Sequence, residues 1–276
     1  MKIEIENLRY TYPGSVEALR GVSLNIESGE QVAIVGQNGA GKTTLLRHLN
    51  GLLQPTQGVV RIGDWDTRRH SVAKLATRVG YVFQNPDDQL FCRTVQEEVS
   101  FGPGNLSMDH DRKERLVKEA IALTDLTGKE TINPYDLSPA WRKIVALASI
   151  LAMDTPIVLL DEPTTGQDAA NIARIAHIAR SLRAQGKTVI AISHDIDFCA
   201  ENFDRIIAMA NGAILLDGEP QDVLAQEETL ATTYVDPPQL TRLGRRLNLA
   251  ETVYTEDQFL DSYRRLVNSP YTTKDR

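Results

Sequence analysis

Eight consecutive residues, Gly36-Gln37-Asn38-Gly39-Ala40-Gly41-Lys42-Thr43, constrain this chain more than any others, because they match G-x-x-x-x-G-K-[ST]. They follow a short apolar run, Gln31 to Val35, of the kind that forms a buried parallel strand, and they open a segment read as helix from Gly41 through Leu52. Glycines in such a strand-to-helix turn let successive backbone N–H groups converge on phosphate oxygens, and the helix adds the positive end of its dipole. Lys42 then reaches the β- and γ-phosphates of a nucleotide, and the Thr43 hydroxyl ligates Mg²⁺. Thr44, at the same helix start, is counted with residues 36 to 43 as nucleotide-binding. The metal half of such a site needs an acid at the end of a second strand. Ile157-Val158-Leu159-Leu160-Asp161 supplies it, with Asp161 holding Mg²⁺ through water. Glu162 follows where it could polarise an attacking water, as a general base. The expected ligands are therefore ATP and Mg²⁺, and the expected reaction is ATP hydrolysis.

The rest of the chain reads as α/β. Alternation at Ile3 and Ile5, and at Val22, Leu24 and Ile26, indicates half-buried strands around a turn at Tyr12-Pro13-Gly14-Ser15. Val59 to Ile62 and Val79 to Phe83 are two more strands. From about Asn85 to Leu151 the pattern becomes helices broken by turns, with Arg112 to Leu123 and Trp141 to Met153 the plainest. A strand at Ile157 to Leu160, a helix at Gln167 to Gln185 and a strand at Thr188 to Ser193 follow. Arg205 to Ala210 and Ala213 to Asp217 flank Asn211-Gly212, a hairpin signal. Pro237-Pro238 opens a tail with helical segments at Gln239 to Leu247 and Glu256 to Leu266. The expected organisation is a parallel nucleotide core with an antiparallel N-terminal β subdomain over residues 1–220, a helical subdomain at about 86–152, and a C-terminal helical extension over 221–276.

Charge and cysteines remove other classes. Thirty-seven acidic against thirty basic side chains give a net charge of −7, which argues against a nucleic-acid partner. Cys92 and Cys199 stand far apart in no ligand spacing, so neither a disulfide nor a zinc framework is expected. The longest apolar stretch, Ile144 to Met153, is about half of a membrane span.

Taken together with four further segments, these residues resemble the ATPase subunit of ATP-binding cassette (ABC) transporters, and the resemblance covers about residues 1–220. It implies the P-loop ABC-ATPase fold and several roles. Tyr12 resembles the aromatic residue that stacks on adenine. Gln84 resembles the Q-loop glutamine, which contacts Mg²⁺ and lies where the membrane partner docks. Leu137-Ser138 begins the signature segment, through which Ser138 would contact ATP held by a second subunit. Asp168 resembles the D-loop aspartate at the dimer seam, and His194 the switch histidine on the γ-phosphate. The stretch Phe83-Gln84-Asn85-Pro86-Asp87-Asp88-Gln89-Leu90-Phe91 is similar to the Q-loop of energy-coupling factor (ECF) transporter ATPases, importers of vitamins and of cobalt or nickel ions, and the tail from Pro237 to Leu243 is similar to the same class. The same resemblance implies a dimerisation role for the extension over 221–276. The implied partners are a second ABC ATPase, a transmembrane coupling protein and a small substrate-binding membrane protein. The implied location is peripheral, at the cytoplasmic face of the cell membrane.

Two features of the sequence sharpen these expectations. Leu90 and Phe91 are expected together at the surface, in a groove for a helix of the coupling protein. The signature departs from its usual Leu-Ser-Gly-Gly-Gln, reading Leu137-Ser138-Pro139-Ala140-Trp141. With the other motifs intact, that departure favours an asymmetric heterodimer over a homodimer. A cytosolic ABC-type ATPase without a transporter and a non-hydrolytic regulatory module stay open as alternatives.

Overall fold

The computed structural model describes residues 1–106 and 108–268. Two sheets organise it. Strands β1 (Ile3–Tyr12), β2 (Val16–Ile26), β4 (Gln57–Ile62) and β5 (Trp65–Asp66) form an antiparallel sheet in the order β2-β1-β4-β5. Strands β3 (Gln31–Val35), β6 (Val79–Val82), β7 (Ile157–Asp161), β8 (Thr188–Ile192), β9 (Arg205–Ala210) and β10 (Ala213–Gly218) form a second sheet in the order β10-β9-β3-β8-β7-β6, parallel except for β10.

The near-continuous apolar runs of the central strands follow from burial on both faces. Val32, Ile34, Ile157, Leu159, Ile190, Ile192, Ile207 and Met209 point to one core, shared with Ile3, Ile5, Leu24, Val60 and Ile62 of the antiparallel sheet. Their alternates, Ala33, Val35, Val158, Leu160, Val189, Ala191, Ile206 and Ala208, point to a second core filled by helices. Every one of these side chains is at most 5% exposed. The two sheets and the helical layer thus hold the C-terminal ends of β3, β7 and β8 together, where an open α/β sheet places its ligand.

The helices are α1 (Lys42–Leu49), α2 (Val72–Leu75), α3 (Val95–Asn105), α4 (His110–Leu123), α5 (Pro139–Leu151), α6 (Ala169–Ala184), α7 (Ile196–Asn202), α8 (Pro220–Ala225), α9 (Glu227–Thr232), α10 (Gln239–Arg246) and α11 (Glu256–Val267). Helix α1 stops three residues before the Leu52 expected from sequence. Asn50 caps it, and Gly51 takes the left-handed conformation at φ +77°, which ends a helix at little steric cost. Helix α3 carries Gly102, Pro103 and Gly104, which hide it from a pattern reading. Gly102 is there for close packing: a Cβ built on it would lie 2.6 Å from Met153 Cγ, just beyond α5.

One surface expectation is overturned. Leu90 is 3% exposed and belongs to the helical core with Val95, Val99, Leu126 and Ile144, whereas Phe91 is 61% exposed. A single turn of 3₁₀ helix at Pro86–Asp88 redirects the chain, with Leu90 N–H donating to Pro86 O, so that adjacent residues face opposite ways. Phe91 packs edge-on to Phe101, itself half exposed, with ring centroids 4.7 Å apart.

At the C-terminal end, α8 and α9 pack on the β9–β10 hairpin and bury Leu224 and Leu230 in the helical core. The carbonyl of Thr233, just past α9, accepts the N–H of Gln37, so this segment touches the phosphate loop directly. Helices α10 and α11 pack on each other, and Thr255 with Gln258 forms a capping box at the start of α11. No helix among the described residues is long and apolar enough to cross a membrane.

Candidate nucleotide site

The loop between β3 and α1 has the backbone that its glycines allow. Gly36, Gly39 and Gly41 sit at φ +142°, +80° and +99°, a region unfavourable to other residues. Space is as tight as conformation. A Cβ on Gly36 would lie 2.1 Å from Met209 O, and one on Gly41 would lie 2.6 Å from Ala18 O. Lys42, 6% exposed, folds back over the loop and donates from Nζ to Gly36 O at 2.5 Å and Gln37 O at 3.1 Å. Burial lowers the pKa of this ammonium, while the nearby charges of Glu162 and Asp161 act in the opposite direction. Two carbonyls are weak partners for a buried cation, and phosphate oxygens would be stronger ones.

Asp161 ends β7 and is 1% exposed. Its Oδ1 accepts the Thr43 hydroxyl at 3.3 Å and its Oδ2 accepts the Tyr81 phenol at 2.7 Å. Burial pushes the Tyr81 pKa well above that of an ordinary phenol, and the Asp161 charge adds to the shift, so Tyr81 stays a neutral donor. Glu162, 3% exposed, adopts the left-handed conformation at φ +51°. Its Oε1 lies 3.1 Å from His194 Nε2, and its Oε2 accepts the His194 N–H at 3.3 Å and the Thr165 hydroxyl at 3.2 Å. The turn after β8 that carries His194 is fixed in its own right. Ser193 Oγ contacts Thr164 Oγ1 at 3.1 Å and accepts the Asp195 N–H, and the Asp195 carboxylate caps α7.

Asn38, Gly39, Ala40, Gly41, Lys42, Thr43, Thr44, Gln84, Glu162 and His194 line one cavity. The fold therefore gathers loop, acid, histidine and glutamine from four separate stretches of sequence. Tyr12 adjoins them through its hydroxyl, 3.1 Å from Thr44 Oγ1, with its ring edge-on to Tyr10. Ser138 and Asp168 lie outside the cavity lining. Both are exposed helix caps: Ser138 accepts the Trp141 N–H at 3.4 Å at the start of α5, and Asp168 accepts the Asn171 N–H at 2.8 Å at the start of α6. A pocket so built can bind a triphosphate at the loop and hold a carboxylate–imidazole pair beside its end.

Three supporting residues went unread in the sequence. Tyr81 lies within the strand expected at Val79 to Phe83, where a buried phenol needs a partner. Gln89 accepts the Phe83 N–H at 3.0 Å and donates to Ala146 O at 2.8 Å and Ser149 Oγ at 3.1 Å, fixing the loop after Gln84 to α5. Lys143 is buried beneath Glu162 and is taken up below.

Comparison with known proteins agrees with this geometry. Residues 19–165 match the family described as ABC transporter. The energy-coupling factor transporter ATP-binding protein EcfA of Methanothermobacter thermautotrophicus is 40% identical over 90% of this chain and 80% of its own length. The EcfA of Methanocaldococcus jannaschii is 37% identical over 92% of each. Among solved structures, CbiO1 of Clostridium perfringens, described as part of the ABC transporter complex CbiONQ, superposes with a TM-score of 0.75 at 33% identity, covering 89% of this chain and 98% of its own. A dimeric ATP-binding cassette in a post-hydrolysis state, bound to ADP and Pi, gives a TM-score of 0.72 at 28% identity over 79% of this chain and 98% of its own. The phosphate loop, the acids at the end of β7 and these relatives lead to one conclusion: this chain belongs to the ABC transporter family, as an ATP-binding subunit with ATPase activity.

Proposed function

We propose that this chain is an ATP-hydrolysing subunit of an ECF-type importer, bound peripherally at the cytoplasmic face of the membrane and powering uptake of a vitamin or transition-metal ion. The observation that carries the enzymatic half is the Glu162–His194 pair, 3.1 Å apart on the same cavity as Lys42. In this reading the loop N–H groups and Lys42 hold the phosphates. Glu162 accepts a proton from the attacking water, His194 orients that carboxylate and meets the γ-phosphate, and Tyr12 offers its ring to adenine. The donor set also suits Mg²⁺. Thr43 offers a hydroxyl and Asp161 a carboxylate in contact with it, with the Gln84 amide on the same cavity, and such a sparse set fits a small cation that keeps its waters and shares phosphate oxygens. When bound, Mg²⁺ neutralises charge on the β- and γ-phosphates.

The transport half rests on the relatives named EcfA and CbiO1 and on the exposed, mutually packed pair Phe91 and Phe101. Residues 1–220 act as the cassette and 221–276 as a dimerisation extension. The partners are a second ATPase, a transmembrane coupling protein and a substrate-binding membrane protein. Phe91→Asp is expected to abolish co-purification with the membrane subunits while ATP binding by the soluble chain stays within about twofold, since only an exposed edge contact worth about 1 kcal/mol is lost internally. Leu90→Asp, by contrast, puts an unpaired charge in the core and should cost at least ~3 kcal/mol of stability. A Phe91→Asp chain that still purifies in the membrane complex contradicts the docking role.

The variant signature points to an asymmetric pair. Pro139 occupies the first turn of α5, where a missing N–H costs nothing and its fixed φ suits the helix. The change is thus innocuous to folding, and its consequence falls on function. Trp141, half-buried, has the charged ends of Lys129 and Arg174 over its ring, 4.9 and 4.8 Å from the ring centre, so a bulky fixed ring replaces a compact amide. The ATP that this segment caps, held by the partner ATPase, should turn over slowly. Restoring Gly-Gly-Gln at 139–141 in a complex whose own site is silenced by Glu162→Gln should raise the remaining turnover about tenfold or more, given that a single oxyanion donor is worth ~10²–10³ in rate. An unchanged rate contradicts the asymmetry.

A further inference from the structure

Lys143 lies in the first turns of α5 and is 5% exposed, a burial that lysine almost never reaches without a reason. Its hydrogen-bonding partners are two backbone carbonyls rather than a carboxylate: Nζ donates to Glu162 O at 2.7 Å and to Thr165 O at 3.2 Å. Desolvating an ammonium on such terms is unfavourable, and burial accordingly lowers its pKa, with the charges of Glu162 and Asp161 opposing the shift. What the ammonium meets is a strained segment. Glu162 holds φ +51°, a conformation that L-residues with a side chain rarely take. Its N–H is tied to Ile192 O of β8 at 2.9 Å, and its carbonyl is tied to Lys143 of α5. The same ammonium holds the carbonyl of Thr165, whose hydroxyl donates to the Glu162 carboxylate.

From this arrangement we infer that Lys143 is a positioning residue for ATP hydrolysis: it holds the left-handed Glu162 backbone from the α5 side and so aims the carboxylate into the cavity. The inference rests on the reading of Glu162 as the base. It adds that the helix beginning at Ser138 is mechanically joined to that base, so a displacement of α5 relative to β7 alters the aim of the carboxylate. The hydrogen bonds of Lys143 go to Glu162 and Thr165 rather than to the phosphate loop, so its loss should leave nucleotide affinity alone.

The test uses the complex purified with its partner subunits, comparing the parental protein with Lys143→Met, Glu162→Gln and the double variant. Expected for Lys143→Met is a kcat at least about tenfold lower, a displacement of about 1 Å being enough for such a loss, with KM for ATP within about twofold. In the double variant Lys143→Met should add no further loss to that of Glu162→Gln, because the two act through one group. Lys143→Gln, which keeps a polar group in the pocket, is read by the same criteria should the methionine variant not fold. A parental kcat in Lys143→Met beside an inactive Glu162→Gln overturns the proposal alone, as does a parallel loss of ATP affinity or a full additional loss in the double variant. A Glu162→Gln complex that turns over at the parental rate overturns the base assignment itself, and this proposal with it.

Discussion

Glu162→Gln should lower steady-state ATP turnover by about 100-fold or more while leaving ATP affinity within about twofold. The substitution keeps the shape of the side chain and one carbonyl oxygen able to accept the His194 N–H and the Thr165 hydroxyl, so the pocket around it need not rearrange. It removes the one property that the proposed base role asks of this position, an anionic oxygen able to take a proton from water. A loss of 100-fold corresponds to about 2.7 kcal/mol of transition-state stabilisation, within the range of general-base catalysis. ATP affinity should hold, because in the proposed reading the loop and Lys42, not Glu162, bind the phosphates. The check is phosphate release from the assembled complex beside equilibrium ATP binding to the chain. Parental turnover contradicts the assignment.

Lys42→Ala is expected to act one step earlier, weakening ATP binding itself by about 100-fold. The ammonium is 6% exposed and, with the site as described, donates to Gly36 O and Gln37 O. Those carbonyls hold it within the loop, where the β- and γ-phosphates would lie, and charge-assisted bonds to phosphate are roughly twice as strong as neutral ones. Removing it also leaves Asp161 and Glu162 with less positive charge nearby to offset their repulsion of a triphosphate, since both carboxylates act on Lys42. Titration of the full chain with a fluorescent ATP analogue reads the loss directly. If affinity is unchanged while turnover falls, Lys42 acts in the transition state alone and the binding role is wrong. Together with Glu162→Gln, this variant separates holding the nucleotide from breaking it.

Much of this site is visible in the sequence because its parts depend on local chemistry. A glycine loop that must adopt positive φ and admit no Cβ between Met209 O and Ala18 O has few alternative spellings. The strand Ile157–Asp161 announces itself by five residues buried on both faces and ending on an acid. What the sequence hides depends on contacts across the fold. Leu90 and Phe91 are neighbours of similar character, and only the 3₁₀ turn at Pro86–Asp88 decides that one enters the core and the other faces outward. Lys143 reads as an ordinary helix lysine until β7 is placed beneath it, and Tyr81 reads as a strand apolar until Asp161 appears 2.7 Å from its hydroxyl. Helix α3 escapes because Gly102, Pro103 and Gly104 are poor helix formers, and Gly102 is required by close packing against Met153 just after α5. Pro139 shows the reverse case. It looks disruptive as a change of motif and is benign as the first residue of a helix.

Whether hydrolysis at Glu162 serves a membrane complex built around this chain is decided by phosphate release from the material that co-purifies with the tagged chain from detergent-solubilised membranes. The expected preparation contains a hydrophobic coupling subunit and a second ATPase and releases phosphate from ATP at a rate that falls by about 100-fold when the chain carries Glu162→Gln. Recovery of the chain without any membrane subunit, or phosphate release that is indifferent to Glu162→Gln, would contradict that role.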